Sequence, residues 1–275
     1  MKNIDTEYDY IIVGAGSAGC VLANRLSKNP KNRVLLLEAG REDKSITLKM
    51  PGAVLLNLKS TKHNWAFKGE PEPELAGRQL QHDRGKTLGG SSSINGMVFI
   101  RGNSLDYEGW RQMGCDGWGY ADVLPYFKKM ESYSGGGDDF RGDSGPLRVH
   151  RSVPKDPLSI AFINAGKEAG YKETDDISGY CQEGFGIFDR TVFKGERWST
   201  TRGYLDPVRD RKNLTIITKA LVCKLILENN KATGVCFKDN KNKIFNVKSN
   251  KEVILCAGAV GSPHILMLSG IGPKD

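Results

Sequence analysis

Long apolar runs are missing from this sequence. No stretch of its 275 residues approaches the roughly 20 apolar residues that cross a bilayer. Residues 1–9 are polar and acidic, unlike a secretory signal. These absences predict a cytoplasmic globular protein, and peripheral association with the inner membrane stays open. At 39% hydrophobic content, the chain can bury one large core or two smaller ones.

Cysteine pairs of the C-x-x-C type are also absent, although the chain has six cysteines. Such pairs are typical of zinc sites and of redox-active disulfides. Four of the cysteines, Cys20, Cys223, Cys236 and Cys256, lie inside apolar runs. We therefore expect free, buried thiols in a reducing compartment, and neither a metal site nor a disulfide framework.

Basic residues do not gather into a block, although the formal net charge is +8. Lysines and arginines are scattered among acidic residues, and the mixture of basic and aromatic side chains typical of RNA-binding modules is missing. We interpret the charge as a solvated surface and expect no nucleic-acid partner. Residues 134–145 are rich in Gly and Asp but lack the alternating carboxylates of a calcium loop, so a surface turn is predicted there.

A dinucleotide-binding fingerprint stands near the N-terminus. A strand predicted over 8–13 leads into Gly-Ala-Gly-Ser-Ala-Gly at 14–19, and a helix is predicted over 20–27. In this motif Gly14 permits the turn, Gly16 lets a pyrophosphate approach the backbone, and Gly19 lets the helix pack on the strand. A second strand over 33–37 ends at Glu38, an acid in the position that binds ribose hydroxyls.

Residues 84–98 form a second glycine-rich stretch, with three successive serines at 91–93. Glycine lets a backbone approach a ligand closely, and successive free N–H groups form anion-binding nests. We interpret this stretch as a cofactor-contacting loop. A flexible Gly/Ser linker is the alternative, but the stretch runs straight into Met-Val-Phe-Ile at 97–100, which predicts a buried strand or helical turn.

The remaining chain alternates between helical and strand patterns. Residues 41–81 lack regularity and predict a long loop, in which Trp65 either covers a ring system or anchors the loop. Helices are predicted over 106–111, 120–131 and 157–169, and strands over 184–193 and 214–218. A meander is predicted at 221–227, 233–238 and 244–247, and a last buried strand at 252–259 before a helical run at 264–268.

Four of these motifs in order, at 8–19, 35–40, 84–96 and 258–273, closely resemble the glucose–methanol–choline (GMC) flavin oxidoreductases. The resemblance runs from residue 8 to the end of the sequence. It implies an α/β, FAD/NAD(P)-binding Rossmann-like three-layer fold with a β-meander, plus part of an α+β substrate-binding domain. The implied domains are an FAD-binding domain at 1–150 and 213–275, interrupted by a partial substrate-binding or cap region at 151–212.

The resemblance implies FAD as the cofactor, whereas the fingerprint alone would also permit a nicotinamide dehydrogenase. Residues 14–19 would hold the pyrophosphate, Glu38 the ribose, the Val222 backbone the adenine, and the 85–98 stretch the isoalloxazine and diphosphate. Some choline-oxidising members attach the flavin through a histidine where this sequence has Ile94, so we expect non-covalent FAD. The full set of implied cofactor residues is Gly14, Gly16, Ser17, Ala18, Gly19, Glu38, Ala39, Trp65, Gly85, Gly90, Ser91, Ser92, Ser93, Asn95, Gly96, Met97, Val98, Val222, Ala257 and Gly258.

Residues 100–107, 174–186 and 250–259 resemble the bacterial choline-oxidising members of the family most closely. The implied reaction is oxidation of a primary alcohol by hydride transfer to flavin N5, with choline giving betaine aldehyde. Another aliphatic alcohol, or a flavin-binding fragment without turnover, is the alternative. The implied electron acceptor is a quinone or the respiratory chain.

No catalytic residue is assigned in this sequence. In the resembling enzymes a histidine acts on the substrate hydroxyl, with a second His or Asn beside it, and both lie in a C-terminal region that we expect this chain not to contain. The four histidines present do not match that motif, so each is predicted to be a surface or structural residue: His63, His82, His150 and His264.

Overall fold

The computed structural model describes residues 5–273, which contain fourteen β-strands and seven α-helices. The strands are β1 (Glu7–Val13), β2 (Val34–Glu38), β3 (Phe67–Glu72), β4 (Arg78–His82), β5 (Val98–Phe99), β6 (Glu131–Tyr133), β7 (Leu147–Val149), β8 (Asp189–Arg190), β9 (Val192–Phe193), β10 (Glu196–Arg197), β11 (Leu214–Thr218), β12 (Leu221–Glu228), β13 (Lys231–Lys238) and β14 (Ile244–Leu255). The helices are α1 (Ser17–Leu26), α2 (Ile46–Lys49), α3 (Val54–Leu58), α4 (Ser104–Gln112), α5 (Tyr120–Met130), α6 (Pro157–Glu168) and α7 (Gly258–Leu268).

The chain divides into two compact units. The first contains the described residues up to Asn95 and from Ser199 onward, and the second is Gly96–Trp198. These structural boundaries differ from the functional boundaries at 150 and 212 that the sequence suggested. The functional domain assignment stays a prediction.

The first unit is built on a six-stranded sheet with the order β11-β2-β1-β14-β13-β12. The four strands β11, β2, β1 and β14 are parallel, and β14, β13 and β12 form an antiparallel meander. The predicted α/β class, parallel sheet and β-meander are therefore confirmed.

Apolar residues cover both faces of the parallel strands. Alternate residues such as Ile11 and Leu35 belong to a core shared with the meander and α7, whereas Ile12 and Leu36 face α1. Burial on both faces explains why residues 10–13 of β1 and 34–37 of β2 are continuously apolar instead of alternating. The arrangement is the predicted three-layer one.

Two expectations for the first unit are wrong. Residues 41–81 are more regular than predicted, because they contain α2, α3 and the antiparallel hairpin of β3 and β4. The sequence concealed β3 because it includes Pro71, a residue tolerated only on edge strands or at irregularities. The strands predicted at 244–247 and 252–259 are one strand, β14, which pairs first with β13 and then with β1.

The second unit has short two-stranded pairings, β5 with β8, β6 with β7 and β9 with β10, and a small core that includes Phe99 and Tyr133. The three predicted helices are present as α4, α5 and α6. The strand predicted at 184–193 is reduced to β8 and β9. Leu158 and Phe162 on α6 are 80% and 68% exposed, although the Phe162 ring lies 5.3 Å from the Phe185 ring.

The predicted surface turn at 134–145 is wrong at Arg141, whose side chain is fully buried. Its guanidinium donates to Glu131 at 3.1 Å, Asp176 at 2.6 Å and Asp189 at 2.9 Å, and it lies 3.6 Å from the centre of the Tyr133 ring. Arg101 also pairs with Glu131. A polar, Gly-rich pattern predicts an exposed turn. It does not indicate that the Arg141 side chain is buried, because the partners Asp176 and Asp189 lie far away in sequence.

Replacing Arg141 with methionine is expected to lower the free energy of unfolding by about 3–5 kcal/mol, because three buried or half-buried carboxylates lose their shared cation. The control is Arg111→Met, which breaks the exposed Arg111–Glu108 pair on α4 and is expected to change stability little. Urea unfolding of both variants is the measurement. Equal effects of the two substitutions would show that the buried cluster does not stabilise the second unit.

Candidate functional site

The turn between β1 and α1 requires glycine at two positions. Gly14 has φ +98°, and a Cβ placed there would lie 2.5 Å from the carbonyl oxygen of Cys256. A Cβ on Gly19 would lie 1.9 Å from the Gly14 carbonyl oxygen. The first glycine therefore brings the turn against the end of β14, and the second lets α1 pack on the turn.

The start of α1 is open to an anion. The N-cap residue is Gly16, which has no side chain. It therefore cannot cap the first N–H groups of the helix. The nearest atom to a Cβ placed on Gly16 would be 3.9 Å away, so this position is not crowded. Helix N-termini with free N–H groups and a positive dipole end bind phosphates. Ser17, Ala18 and Gly19 form the first turn, as the fingerprint predicts.

Glu38 ends β2 as a buried carboxylate. Its Oε2 accepts the N–H of Ala15 and its Oε1 accepts the N–H of Gly40, both at 2.8 Å. Burial raises the pKa of Glu38 to about 7, and these two hydrogen bonds and nearby Lys86 oppose the shift. Each carboxylate oxygen can accept a further hydrogen bond, so the group can still receive a ribose hydroxyl.

The predicted loop packs directly on the fingerprint. A Cβ on Gly90 would lie 2.7 Å from the Cα of Gly16, and one on Gly85 would lie 2.1 Å from the Gly90 carbonyl oxygen. A Cβ on Gly40 would lie 2.0 Å from the Lys86 carbonyl. The glycines therefore bring three backbone segments, 14–19, 38–40 and 85–93, into contact.

The three serines of the loop hold its conformation through their side chains. Ser91 Oγ accepts the Gly85 N–H at 3.1 Å, and Ser93 Oγ donates to the Leu88 carbonyl at 2.7 Å. Ser92 Oγ donates to the Gly89 carbonyl at 2.6 Å. Their contact with a cofactor stays a prediction, which these hydrogen bonds neither require nor exclude.

Two threonines that the sequence did not single out adjoin this loop. Thr200 donates its N–H to Ser92 Oγ at 3.1 Å, and the two hydroxyls are 2.9 Å apart. Thr201 opens a π-helical turn, Thr201–Leu205, and its buried hydroxyl has no hydrogen-bond partner within residues 5–273. The signal available in the sequence was the Ser-Thr-Thr run at 199–201. Single π-helical turns are frequent at functional sites.

The other predicted residues of the first unit divide into two groups. Ala39 adjoins Glu38, and Ala257 and Gly258 follow β14, where Ala257 Cα would lie 3.0 Å from a Cβ on Gly14. Val222 is buried at the start of β12, and Ala220 just before it donates its N–H to the Glu38 carbonyl at 2.9 Å. These residues therefore lie beside the glycine turn or beside Glu38.

Trp65 has contacts that favour the anchoring interpretation. Its ring stacks on Phe67 with centroids 5.6 Å apart, and Lys86 Nζ lies 4.2 Å from its centre. Asn95 is exposed at the end of the loop, where its N–H bonds to the Ser91 carbonyl. A cofactor role for either residue stays a prediction.

Gly96, Met97 and Val98 belong to the second unit. Met97 is buried with φ +62°, a left-handed conformation that is rare for a residue with a side chain. Val98 begins β5 and is exposed. Of the buried strand or helical turn predicted over 97–100, the structure has the two-residue strand β5, with buried side chains at Met97 and Phe99.

Metal-binding and membrane-spanning features do not occur in the part of the chain that the structure describes. Within residues 5–273, no cluster of three His, Cys, Asp or Glu side chains is arranged to hold a metal ion. No helix of that range is long and apolar enough to cross a membrane. The six cysteines are free. Of the four in apolar runs, Cys20 and Cys236 are buried as predicted, whereas Cys223 and Cys256 are half-buried. Among the four histidines, His63 contacts the loop at 84–98 through its backbone. Its carbonyl oxygen accepts the Lys86 N–H at 2.8 Å.

A family model of GMC oxidoreductases matches residues 8–275. The chain belongs to the GMC oxidoreductase family. Among curated relatives, the oxygen-dependent choline dehydrogenase of Sinorhizobium fredii is 48% identical over 265 residues, which cover 96% of this chain and 48% of the relative. The enzyme of the same name from Staphylococcus xylosus is 49% identical, with 98% and 48% covered. The chain thus spans about half the length of the curated relatives it matches.

Solved structures of GMC proteins share this fold. Pyridoxine 4-oxidase from Mesorbium loti superposes with a TM-score of 0.93 at 36% identity, covering 98% of this chain and 53% of that one. A formate oxidase has a TM-score of 0.87 at 27% identity, with 99% and 49% covered. An FAD-dependent oxidoreductase from Chaetomium thermophilum has a TM-score of 0.89 at 32% identity, with 97% and 48% covered. The family match and these structural neighbours support FAD as the cofactor that this fold binds.

The buried carboxylate gives a pH test. A carboxyl group whose pKa is raised on folding stabilises the folded state at low pH, and that contribution is lost as pH rises through the folded pKa. Relative to Glu38→Gln, which does not titrate, the wild-type protein is therefore expected to lose stability between pH 4.5 and about pH 7. Urea unfolding across this range measures the difference.

The matched control is Glu72→Gln, at an exposed position of β3. It is expected to keep the pH dependence of the wild-type protein. A wild-type curve that runs parallel to that of Glu38→Gln would contradict the perturbed carboxyl group.

Proposed function

We propose that this chain forms the FAD-binding portion of an enzyme that oxidises choline to betaine aldehyde. The observation that supports this most strongly is the backbone contact of three segments, the glycine turn, the end of β2 and the loop at 85–93. The resemblance of the sequence to the choline-oxidising members, together with the curated relatives of that name, supports the substrate.

The residues present fit FAD. The open start of α1 suits the pyrophosphate, and the Glu38 carboxylate suits the ribose hydroxyls. The backbone beside Val222 is proposed for the adenine, and the loop at 85–98 for the ring system and diphosphate. When bound, FAD supplies the hydride acceptor for the reaction, and the protein positions it and excludes water.

We propose that the FAD is not covalently attached. Ile94 occupies the position where some choline-oxidising members have the histidine that binds flavin. Its side chain is apolar and 2% exposed, so it offers no nucleophile for a covalent bond. Binding would then depend on the noncovalent contacts of the glycine turn, Glu38 and the loop.

Activity, substrate and acceptor are proposed for an enzyme of the relatives' full length, since the match covers about half of it. No catalytic acid or base is assigned among His63, His82, His150 and His264. A quinone or the respiratory chain is the proposed acceptor, and a cytoplasmic location with peripheral contact to the inner membrane is proposed. The domain assignment remains 1–150 and 213–275 for FAD and 151–212 for the cap.

A second candidate is oxidation of a different alcohol. The likeness to pyridoxine 4-oxidase favours it, because that protein shares the fold at 36% identity and its name indicates another substrate. The glycine turn, Glu38 and loop would serve either enzyme equally. Substrate choice therefore has to be measured on an enzyme that contains this chain.

The test starts from the cofactor. The 275-residue chain reconstituted with FAD is expected to be yellow, and acid precipitation is expected to release the flavin into the supernatant, because no residue is proposed to bond to it. Colour that stays with the precipitate would contradict non-covalent binding. A colourless protein that binds NADH would contradict the FAD assignment.

The substrate is tested on an enzyme that contains this chain, under anaerobic conditions. Choline is expected to bleach the flavin, and pyridoxine is expected to leave it oxidised. Bleaching by pyridoxine alone would support the second candidate. Binding of FAD without reduction by any alcohol would indicate a flavin-binding protein without turnover.

A further inference from the structure

Each of two adjacent strands of the meander contains a cysteine. Cys223 lies in β12 and Cys236 lies in β13. In the antiparallel pairing of these strands, Val222 lies opposite Phe237 and Lys224 lies opposite Cys236. Cys223 is therefore the extra residue of a β-bulge, in which two residues of one strand oppose one residue of its partner.

The register places Cys236 away from the core of the sheet. Val222 and Phe237 belong to the buried core, as do Leu225 and Val235 on the other side of the bulge. Side chains alternate along a strand, so Cys236, which separates Val235 from Phe237, points to the opposite face. Cys223 and Lys224 together occupy the space opposite Cys236. The bulge thus brings the two thiols to one face.

The spacing suits a bond between them. Cβ atoms of directly opposed residues in an antiparallel pair are about 4.5–5.5 Å apart. A disulfide needs Cβ atoms about 3.5–4.5 Å apart, and a bulge interrupts the hydrogen-bonded ladder at this point. Lys224 is the residue in register with Cys236, so a bond requires the bulged residue beside it to move toward Cys236.

The two thiols differ in accessibility. Cys223 is half-buried, and its Sγ lies 3.5 Å from the Leu221 carbonyl oxygen. Cys236 is 9% exposed, and burial, together with the neighbouring Cys223, raises its pKa. The thiolate is the reactive form and needs access to the oxidant, so Cys223 is the first thiol to react.

We propose that Cys223 and Cys236 form an oxidisable dithiol, which hydrogen peroxide converts into an intramolecular disulfide. The Cys223 thiolate attacks a peroxide oxygen, an S–O bond forms as the O–O bond breaks, and the leaving hydroxide takes up a proton to give water. The Cys236 thiolate then attacks the sulfenic sulfur, and the S–S bond forms as the S–O bond breaks. The leaving hydroxide takes up a proton to give a second water. Two thiols are oxidised, and one peroxide is reduced to two waters.

The disulfide would act on the proposed adenine contact. Val222 immediately precedes Cys223, so a bond across the bulge fixes the backbone at Val222. This consequence depends on the proposed FAD-binding function, whereas disulfide formation does not. The two can therefore fail separately.

The other cysteines provide internal controls. Cys20 is buried and its pKa is raised to about 12, chiefly by burial, so it is expected to stay reduced. Cys115 and Cys181 are exposed and lie in the second unit, so they report on nonspecific oxidation.

The experiment starts from protein whose thiols are reduced, with and without FAD. It adds hydrogen peroxide, alkylates the remaining thiols and maps the peptides by mass spectrometry. A linked peptide pair that contains Cys223 and Cys236, restored to two alkylated thiols by prior treatment with dithiothreitol, is expected. Cys236→Ser is expected to leave Cys223 as a sulfenic acid that dimedone traps. Cys115→Ser is the matched control and is expected to form the same link as the wild-type protein.

Alkylation of both Cys223 and Cys236 after peroxide treatment, with oxidation confined to Cys115 and Cys181, would overturn the proposal. Linkage of Cys223 to a cysteine of another molecule would overturn it as well. The FAD dissociation rate, measured before and after oxidation, tests the consequence separately. An unchanged rate in a protein that forms the disulfide would reject the effect on Val222 and retain the dithiol.

Discussion

Close contact between glycine backbones is the constraint on which the candidate site depends. Gly90 lies against Gly16, and Gly14 lies against the end of β14, at distances that leave no room for a Cβ atom. The sheet fixes the ends of β1 and β14, and the loop at 85–93 then packs on the turn between strand and helix. The N–H groups of Gly14 and Ala15 bond to the Leu37 carbonyl and the Glu38 carboxylate, so an anion at this site would be bound by the N–H groups at the start of α1.

Polar side chains complete this arrangement in two different ways. Glu38 bridges the turn and its own strand end with two accepted N–H bonds, at the cost of a buried carboxylate whose pKa is raised. Ser92 and Thr200 join the loop to the start of the π-helical turn through their hydroxyls. The second unit shows the same principle at Arg141, where one buried cation holds three segments through their carboxylates. Local order in both units thus depends on hydrogen bonds between buried polar groups.

Local patterns in the sequence predicted those helices, strands and turns whose structure is determined by residues close together in the chain. The glycine turn, β1, β2, α1 and the meander follow from periodicity and turn chemistry, and Glu38 was found by its spacing from the fingerprint. Contacts between distant segments could not be predicted, because nothing near Thr200 specifies Ser92, and nothing near Arg141 specifies Asp189. The hairpin of β3 and β4 was missed because Pro71 contradicts the strand pattern locally, whereas an edge position tolerates it.

The most direct test of this arrangement is the affinity of Gly90→Ala for FAD. The added methyl group would lie 2.7 Å from Gly16 Cα, at a residue whose φ of +53° already disfavours alanine. Equilibrium titration with FAD is expected to show a loss of at least about tenfold in affinity, equivalent to ~1.4 kcal/mol, with Gly109→Ala on α4 binding as the wild-type protein does. Wild-type affinity in Gly90→Ala would contradict the claim that backbone contact between the loop and the fingerprint forms the FAD site.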